Sequence, residues 1–261
     1  MKILCTWLAL ASLAWPASVT HAEVKTREID YTQGETPLQG TLARNDAIKG
    51  KRPGVLVVHE WWGHNAHARR QAERLARAGY VAFALDMYGK GKVTTHPDEA
   101  QAFVAEATKD PAVMAARFEA ARQQLVQDPH VDSTRIAAIG YCFGGAVVLG
   151  MARSGADLKA VATFHGALAT RHPAEPGMVR ARILVMTGAA DSLVPPAQVA
   201  AFEQEMRAAG VHFDVIRYPG AKHGFTNPDA ASYGMESLAY NADADRKSWA
   251  ALLRFFRQAL K

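Results

Sequence analysis

Cysteine and long apolar segments are both scarce in this sequence. Only two of the 261 residues are cysteines, Cys5 and Cys142, which excludes a small secreted scaffold held together by several disulfides. There is also no internal repeat, low-complexity stretch or linker, which argues against a repeat protein or a string of separate domains. With 49% hydrophobic residues, the chain has enough apolar side chains for a conventional buried core.

A concentrated charge of one sign is missing as well. The net charge is +5, but the basic residues are scattered and form only short clusters such as residues 49–52. We therefore expect no nucleic-acid partner. Beyond the first 22 residues no segment is apolar enough to cross a bilayer, so we expect no stable membrane insertion of the mature chain.

The N-terminus, MKILCTWLALASLAWPASVTHA, is the one pronounced apolar segment. Lys2 precedes an apolar stretch at residues 3–15, and a small-x-small cleavage site ends at Ala22. These features predict a signal peptide at residues 1–22 and a single domain at residues 23–261, in a protein exported to the periplasm or secreted. An uncleaved anchor is the alternative. Cleavage would remove Cys5 and leave Cys142 as the only thiol, either buried and inert or functional.

The rest of the chain alternates between apolar runs and segments with helical spacing. This rhythm predicts an α/β fold with a mostly parallel central sheet and helices on both faces, after an antiparallel hairpin at the start. In such sheets ligands bind beyond the carboxyl ends of the strands. The predicted strands cover residues 28–32, 38–44, 54–60, 80–86, 135–142, 158–166, 181–191 and 212–220, and the predicted helices cover residues 65–79, 97–127 with a break at Asp110-Pro111, 143–155, 196–210 and 243–260.

The segment IAAIGYCFGGAVVLG, residues 136–150, carries the most specific pattern. A predicted strand ends at a glycine-flanked Cys142, and a predicted helix begins at once. This is the form of a nucleophile elbow, the tight strand-to-helix turn that presents a reactive side chain. A small residue packed in a glycine-rich turn is the alternative interpretation.

Two downstream residues complete a nucleophile, acid and base in the chain order typical of α/β-hydrolases. Asp191 follows a predicted strand, and His223 follows the last predicted strand. We therefore predict a catalytic triad of Cys142, Asp191 and His223 for acyl transfer. The backbone N–H groups of Trp61 and Phe143 are the predicted oxyanion donors.

Glu60 ends another predicted strand at the same edge. A carboxylate there is costly unless it is paired or functional, so the alternatives are a catalytic role and a structural salt bridge with an arginine. The surrounding HEWWGHNAH lacks the spacing and the helix of a zinc-binding H-E-x-x-H motif. We expect neither a metal nor a cofactor, because acyl transfer with these residues needs none.

Taken together, VVHEWWGHN, GYVAFALDMYGKG, IGYCFGG, TGAADSLVP and YPGAKHGFTNP resemble the dienelactone hydrolase (carboxymethylenebutenolidase-like) family of α/β-hydrolases, over residues 28–260. The resemblance implies the same triad and a role for Glu60. In the family this glutamate interacts with the resting cysteine and is freed by substrate to take the thiol proton. The histidine, held by the aspartate, later assists breakdown of the acyl-enzyme.

The sequence departs from the family where the substrate carboxylate is gripped by two arginines. Ala102 and Asn227 occupy those positions in an ungapped alignment, and neither can supply a guanidinium. Lys90 and Lys222 are candidate substitutes. Aromatic residues instead suggest an apolar substrate pocket, with simple packing as the alternative for each; these are Trp61, Trp62, Tyr88, Phe143 and Phe225.

The leading hypothesis is an exported cysteine hydrolase that acts on a small-molecule ester or lactone. A carboxylesterase or thioesterase without lactone preference is the nearest alternative. A non-catalytic binding protein on the same scaffold, and a redox protein that uses Cys142, belong to other classes. The redox hypothesis is the weakest because no resolving cysteine is present.

Overall fold

One mixed sheet of eight strands forms the centre of the molecule, and the computed structural model describes residues 24–261. The predicted signal peptide therefore lies outside the described residues. The strands are β1 (Val24–Gln33), β2 (Thr36–Asn45), β3 (Arg52–Val58), β4 (Val81–Leu85), β5 (Val131–Tyr141), β6 (Ala160–Phe164), β7 (Arg182–Gly188) and β8 (Phe213–Tyr218). They lie in the order β1-β2-β4-β3-β5-β6-β7-β8.

The sheet is antiparallel at one side and parallel over the rest. Strands β1 and β2 form the predicted hairpin, and β2 also runs antiparallel to β4. From β4 to β8 every neighbouring pair is parallel. Every residue of β4 and β6 is buried, because helices cover both faces of the central strands. Most of β1 is exposed, as suits an edge strand.

The helices begin and end near the predicted bounds. They are α1 (Ala66–Arg77), α2 (Pro97–Thr108), α3 (Pro111–Val126), α4 (Phe143–Arg153), α5 (Pro196–Ala208) and α6 (Ala242–Ala259). Asn65 caps α1 by accepting from the backbone N–H groups of His67 and Ala68. Asp110 caps α3 in the same way, which explains the break between α2 and α3. None of these helices is long and apolar enough to span a membrane.

Two apolar layers lie on opposite faces of the sheet. Helices α3, α4 and α5 pack on one face, and α1 and α6 pack on the other. Successive residues of β3 pack into opposite layers. Leu56 and Val58 lie in the layer with α3 and α4. Val55 and Val57 lie in the layer with α1 and α6. The predicted α/β class with a mostly parallel, doubly covered sheet is confirmed.

The carboxyl ends of the parallel strands meet along one edge of this sheet. Strands β3, β5, β6, β7 and β8 are consecutive neighbours there, so the residues that follow them are brought together. Those residues are Glu60, Cys142, His165, Asp191 and His223.

Candidate active site

Cys142 occupies a sharp turn between β5 and α4. Its backbone has φ 53° and ψ −116°, a left-handed conformation that is strained for a residue with a Cβ. The Cys142 N–H donates to the carbonyl of Phe164 over 3.1 Å, which ties the turn to the end of β6. The thiol side chain is partly exposed. Strain of this kind at a strand-to-helix turn is the geometry of a nucleophile elbow.

Gly144 holds the elbow against the end of β3. Its N–H donates to the carbonyl of His59 over 3.1 Å. A Cβ on Gly144 would lie 2.4 Å from the Val58 carbonyl oxygen, so only glycine permits this approach. The close packing brings Glu60 beside Cys142.

Asp191 and His223 form a buried pair. The Asp191 Oδ2 atom lies 2.9 Å from His223 Nδ1, and the exposed fractions of the two residues are both 4%. The other carboxylate oxygen, Oδ1, accepts from the N–H groups of Leu193 and Val194. Because both oxygens are occupied, the carboxylate has a fixed orientation and holds the imidazole through Nδ1.

The loops that carry this pair are packed together at Gly188. The carbonyl of Ala221 accepts from the N–H of Ala190 over 3.0 Å. A Cβ on Gly188 would lie 2.2 Å from the same carbonyl oxygen. The end of β7 and the loop after β8 therefore approach to a distance that a side chain would prevent.

The environment of His223 favours its charged form. Burial acts to lower its pKa, but the Cys142 sulfur and the hydrogen bond to Asp191 outweigh burial and raise the pKa to about 10. The Nε2 atom makes no hydrogen bond among the described residues. A protonated His223 beside Cys142 can stabilise a thiolate, and its Nε2 proton is available to a leaving group.

Glu60 is paired with Asn227 rather than with an arginine. The Asn227 Nδ2 group donates to Glu60 Oε2 over 2.7 Å, and the two residues are 1% and 4% exposed respectively. Burial raises the pKa of the Glu60 carboxyl to about 7, although the Asn227 hydrogen bond and the charge of His223 act in the opposite direction. Glu60 is therefore a carboxyl that can exchange a proton near neutral pH.

The alternative of a structural salt bridge at Glu60 is wrong for the described residues, because no arginine or lysine forms an ion pair with this carboxyl there. The nearest candidate in charge terms, Arg70, pairs with Asp229 at 2.6 Å. Its positive charge contributes only a secondary lowering of the Glu60 pKa.

The two predicted oxyanion donors flank the thiol. Phe143 is the first residue of α4, and the N–H of a first helical residue has no partner within the helix. Trp61 lines a cavity together with Cys142 and His223, and among the described residues its N–H makes no hydrogen bond. Both backbone donors are thus free for an oxygen atom.

The aromatic residues differ in their relation to the site. Trp62 is buried and stacks on Tyr233, with ring centroids 4.0 Å apart, at the wall of a cavity beside Cys142.

Tyr88 and Phe225 line neither of the cavities that Cys142 contacts, contrary to the prediction. Tyr88 packs on His59 and Phe143, and Phe225 packs on His165, so both belong to the core beneath the site.

The cations considered as carboxylate-binding substitutes are engaged elsewhere. Lys90 Nζ contacts Asp30 at 2.6 Å, and Lys222 Nζ donates to the carbonyl of Glu236 over 2.9 Å; both contacts are exposed. Ala102 is exposed on α2. Neither lysine lines a cavity that Cys142 contacts, and the suggestion that Lys90 or Lys222 replaces the missing arginines stays a prediction.

His165 and Thr226 also belong to the surroundings of the site. The His165 ring centroid lies 5.0 Å from that of His223, and its Nε2 lies 2.9 Å from Thr226 Oγ1. Burial lowers the pKa of His165 well below its usual range, so this ring stays neutral beneath a charged one. Within residues 24–261 no group of histidine, cysteine, aspartate or glutamate side chains has the arrangement of a metal site.

Two cavities of very different size meet at Cys142 and His223. The smaller has a volume of about 10 Å³, room for one water molecule, and is also lined by Glu60 and Asn227. The larger has a volume of about 1110 Å³ and extends away from the thiol along α4.

The chain is similar to known proteins over most of its length. The family model of the dienelactone hydrolase family matches residues 38–260. A Synechocystis protein named "Putative carboxymethylenebutenolidase" is 29% identical over 92% of this chain and 99% of its own length.

Solved structures give the same result. A dienelactone hydrolase-like promiscuous phosphotriesterase from metagenomic libraries is 37% identical, with a TM-score of 0.87 over 91% of this chain and 99% of its own. A protein called m3DLH is 40% identical, also with a TM-score of 0.87 over 91% of this chain and 99% of its own.

Proposed function

Because this chain belongs to the dienelactone hydrolase family and is a carboxylic ester hydrolase, we propose that it cleaves its ester or lactone through a thioester on Cys142. The observation that carries the proposal is the 2.9 Å contact between Asp191 and His223 beside the partly exposed thiol. A nucleophile, a base and an orienting acid at the carboxyl edge of one sheet are the requirements of acyl transfer.

In the acylation step the Cys142 sulfur forms a bond to the carbonyl carbon. The carbonyl oxygen becomes negatively charged and accepts from the N–H groups of Trp61 and Phe143. The intermediate then collapses, the carbon–oxygen bond to the leaving group breaks, and His223 Nε2 supplies a proton to the departing alkoxide. Asp191 stabilises the imidazolium that precedes this transfer.

In the deacylation step a water molecule is the nucleophile, as the thiol was in acylation. His223, now neutral, takes a proton from the water as its oxygen attacks the thioester carbon. The carbon–sulfur bond breaks, and the products are a carboxylic acid and the Cys142 thiolate, which takes back from Glu60 the proton that it lost before acylation. The cavity of about 10 Å³ between Glu60 and His223 has the size that this water requires.

Glu60 has the role of the base that removes the thiol proton of Cys142 when substrate binds. With a pKa raised by burial to about 7, its carboxylate can take the thiol proton at neutral pH. The hydrogen bond from Asn227 favours the anionic form that this step needs.

The substrate itself is an uncharged ester or lactone rather than a carboxylate such as dienelactone. The basis is that Asn227, an amide, occupies one of the two expected arginine positions, while Lys90 and Lys222 are engaged in surface contacts. A carboxylate in a buried site needs a paired cation to offset its desolvation. Ester specificity and lactone specificity remain alternatives that the assay below separates.

The decisive assay uses purified protein with a panel of p-nitrophenyl esters, simple lactones, a thioester and dienelactone. An aryl dialkyl phosphate is added because one similar solved structure is of a promiscuous phosphotriesterase. We expect turnover of uncharged esters or lactones, and a loss of at least about a thousandfold in kcat for Cys142→Ala and His223→Ala. Equal turnover by wild type and Cys142→Ala would overturn the thioester mechanism.

A trapping experiment identifies the acylated atom. The His223→Ala variant is mixed with p-nitrophenyl acetate, quenched in acid and digested. The mass of the peptide that contains Cys142 is then measured by mass spectrometry. We expect an added acetyl group on that peptide and none in Cys142→Ala. No turnover on any substrate by wild type would favour a binding protein on the hydrolase scaffold.

Export is a separate part of the proposal. The N-terminal charge and apolar stretch support removal of residues 1–22 by a signal peptidase. The mass of the protein recovered from the periplasm or medium of the producing cell tests it. A mass that includes residues 1–22 would favour the uncleaved anchor.

A further inference from the structure

A long groove starts at the thiol and runs along one face of α4. We call it the α4 groove; its floor is formed by Phe143, Val147, Gly150, Met151 and Ser154. Positions 143, 147, 150, 151 and 154 follow the helical repeat, with 150 and 151 as neighbours in the same turn, so these residues share one side of the helix. From Phe143 to Ser154 the helix rises by about 16 Å, so the groove is long enough to hold an alkyl chain in its extended conformation.

Gly150 keeps the middle of this groove open. Glycine inside a helix is less favourable than alanine. Packing does not require it here, because a Cβ on Gly150 would meet only the terminal methyl of Met114, at 3.9 Å. The missing side chain therefore leaves space in the groove without serving a close approach of backbone.

The walls of the α4 groove are apolar and include side chains that folding left uncovered. Met178 and Leu193 are 43% and 46% exposed, two of the four large hydrophobic residues described as exposed, and both line the groove. Met114 and Met151 add flexible thioethers, which adapt to ligands of different shape. An exposed apolar surface in a concave site is typical of a ligand groove.

Charged groups are confined to the rim of the groove or are already paired. The exposed rim carries charges of both signs, from Lys109, Arg171 and Glu175. Arg153 is held by two hydrogen bonds to Glu205. Among the lining residues that the structure describes, no buried cation is left unpaired, which disfavours an anionic occupant along the groove.

We propose that the α4 groove binds the apolar acyl chain of the substrate, so that the preferred substrates are esters of medium-chain or longer-chain carboxylic acids. The inference rests on the proposed thioester mechanism, in which the acyl group stays on Cys142 after the alcohol leaves. The small cavity beside Glu60 holds about one water and cannot accept that chain. The α4 groove is continuous with the thiol and can accept it.

The test compares kcat/KM for p-nitrophenyl acetate, octanoate and laurate. We expect wild type to favour octanoate and laurate over acetate by at least about tenfold, since each buried methylene adds binding energy in the transition state. Gly150→Leu fills the groove, and the octanoate-to-acetate ratio should fall by at least about tenfold. Gly150→Ala adds only a methyl group and should give a smaller fall.

Ala201→Leu is the matched control, because it adds similar apolar bulk on an exposed face of α5 outside the groove. Its ratio should equal that of wild type. An unchanged ratio in Gly150→Leu would overturn the proposal, as would a preference set by the alcohol chain in a series of alkyl acetates.

A binding measurement separates this proposal from the mechanism itself. Calorimetry compares p-nitrophenyl octanoate binding to Cys142→Ala and to the double variant Cys142→Ala, Gly150→Leu, neither of which uses the thiol. We expect the affinity to fall at least about tenfold in the double variant. Equal affinities would overturn the groove assignment whether or not the thioester mechanism holds.

Discussion

The Asn227 amide donates to the Glu60 carboxylate over 2.7 Å, and this contact links the loop after β8 to the end of β3. The amide has a defined orientation, because its own oxygen accepts from the Asp229 N–H over 3.0 Å. The NH₂ group is therefore turned toward Glu60. A neutral donor lowers the pKa of a buried carboxyl less than a full positive charge would. The pKa of Glu60 therefore remains close to neutral, at about 7.

Replacing this amide by a carboxylate should shift the pH dependence of catalysis. In Asn227→Asp two buried carboxyl groups would share one proton, so the apparent pKa of the pair rises. We expect the acid limb of kcat/KM to move upward by at least about one pH unit, with activity recovered in more alkaline buffer. The measurement is the pH profile of ester hydrolysis.

Two further variants control this prediction. Asn227→Ala removes the donor without adding charge, and should shift the acid limb in the same direction by a smaller amount. Glu60→Gln should remove the limb altogether. An acid limb at the wild-type position in Asn227→Asp would show that Glu60 does not determine the profile.

His223 provides a second prediction through its interaction with the thiol. The Cys142 sulfur and Asp191 together raise the pKa of His223 to about 10 against the effect of burial. Removing the sulfur in Cys142→Ala should lower that pKa, and Asp191→Asn should lower it as well. Nitrogen NMR of histidine-labelled protein across pH measures the change.

The neighbouring His165 is the internal reference for this titration. Burial keeps its pKa well below the usual range, so its resonances should remain those of a neutral ring in every variant. The same His223 titration in wild type and Cys142→Ala would contradict the proposed coupling between thiol and imidazole.

Most of the fold followed from local patterns in the sequence. Valine-rich runs predict buried parallel strands, and Asp110-Pro111 predicts the end of one helix and the start of the next; both features are found. The chain order of Cys142, Asp191 and His223 predicts their meeting, because strand ends converge at one edge of a parallel sheet.

The partner of Glu60 could not be predicted in the same way. Asn227 lies 167 residues away, and an asparagine in a loop has no local pattern that marks it as a hydrogen-bond donor to a distant carboxyl. Similarly, nothing in the spacing of Tyr88 and Phe225 distinguishes a pocket wall from the packed layer beneath it. Which face an aromatic ring presents depends on tertiary packing, which the linear sequence does not display.

Glu60 should also make the stability of the protein depend on pH. Its pKa is raised from an ordinary 4.5 to about 7 by burial, so the folded state binds the proton more tightly than the unfolded state. The free energy of unfolding is then largest below the unfolded pKa and falls as pH rises through the folded pKa. Between about pH 5 and about pH 8 the loss should reach roughly 2–3 kcal/mol.

Urea unfolding across that pH range tests the effect. Glu60→Gln lacks the titrating group and should become more stable relative to wild type as pH rises. Glu28→Gln, on the exposed strand β1, is the control and should follow wild type at every pH. A constant difference between wild type and Glu60→Gln would contradict a raised pKa at Glu60.

Gly144 and Gly150 of α4 should respond in opposite directions to substitution by alanine. In Gly144→Ala the new Cβ would lie 2.4 Å from the Val58 carbonyl oxygen and 2.6 Å from that of His59, and neither backbone atom can move away cheaply. We expect a loss of at least about 2 kcal/mol in the free energy of unfolding. In Gly150→Ala the only neighbour within 4 Å is the flexible end of Met114, so the higher helix propensity of alanine should add roughly 0.5–1 kcal/mol. Urea unfolding of both variants measures the difference, and a gain in stability for Gly144→Ala would show that the elbow and the end of β3 are not in the close contact that places Glu60 beside Cys142.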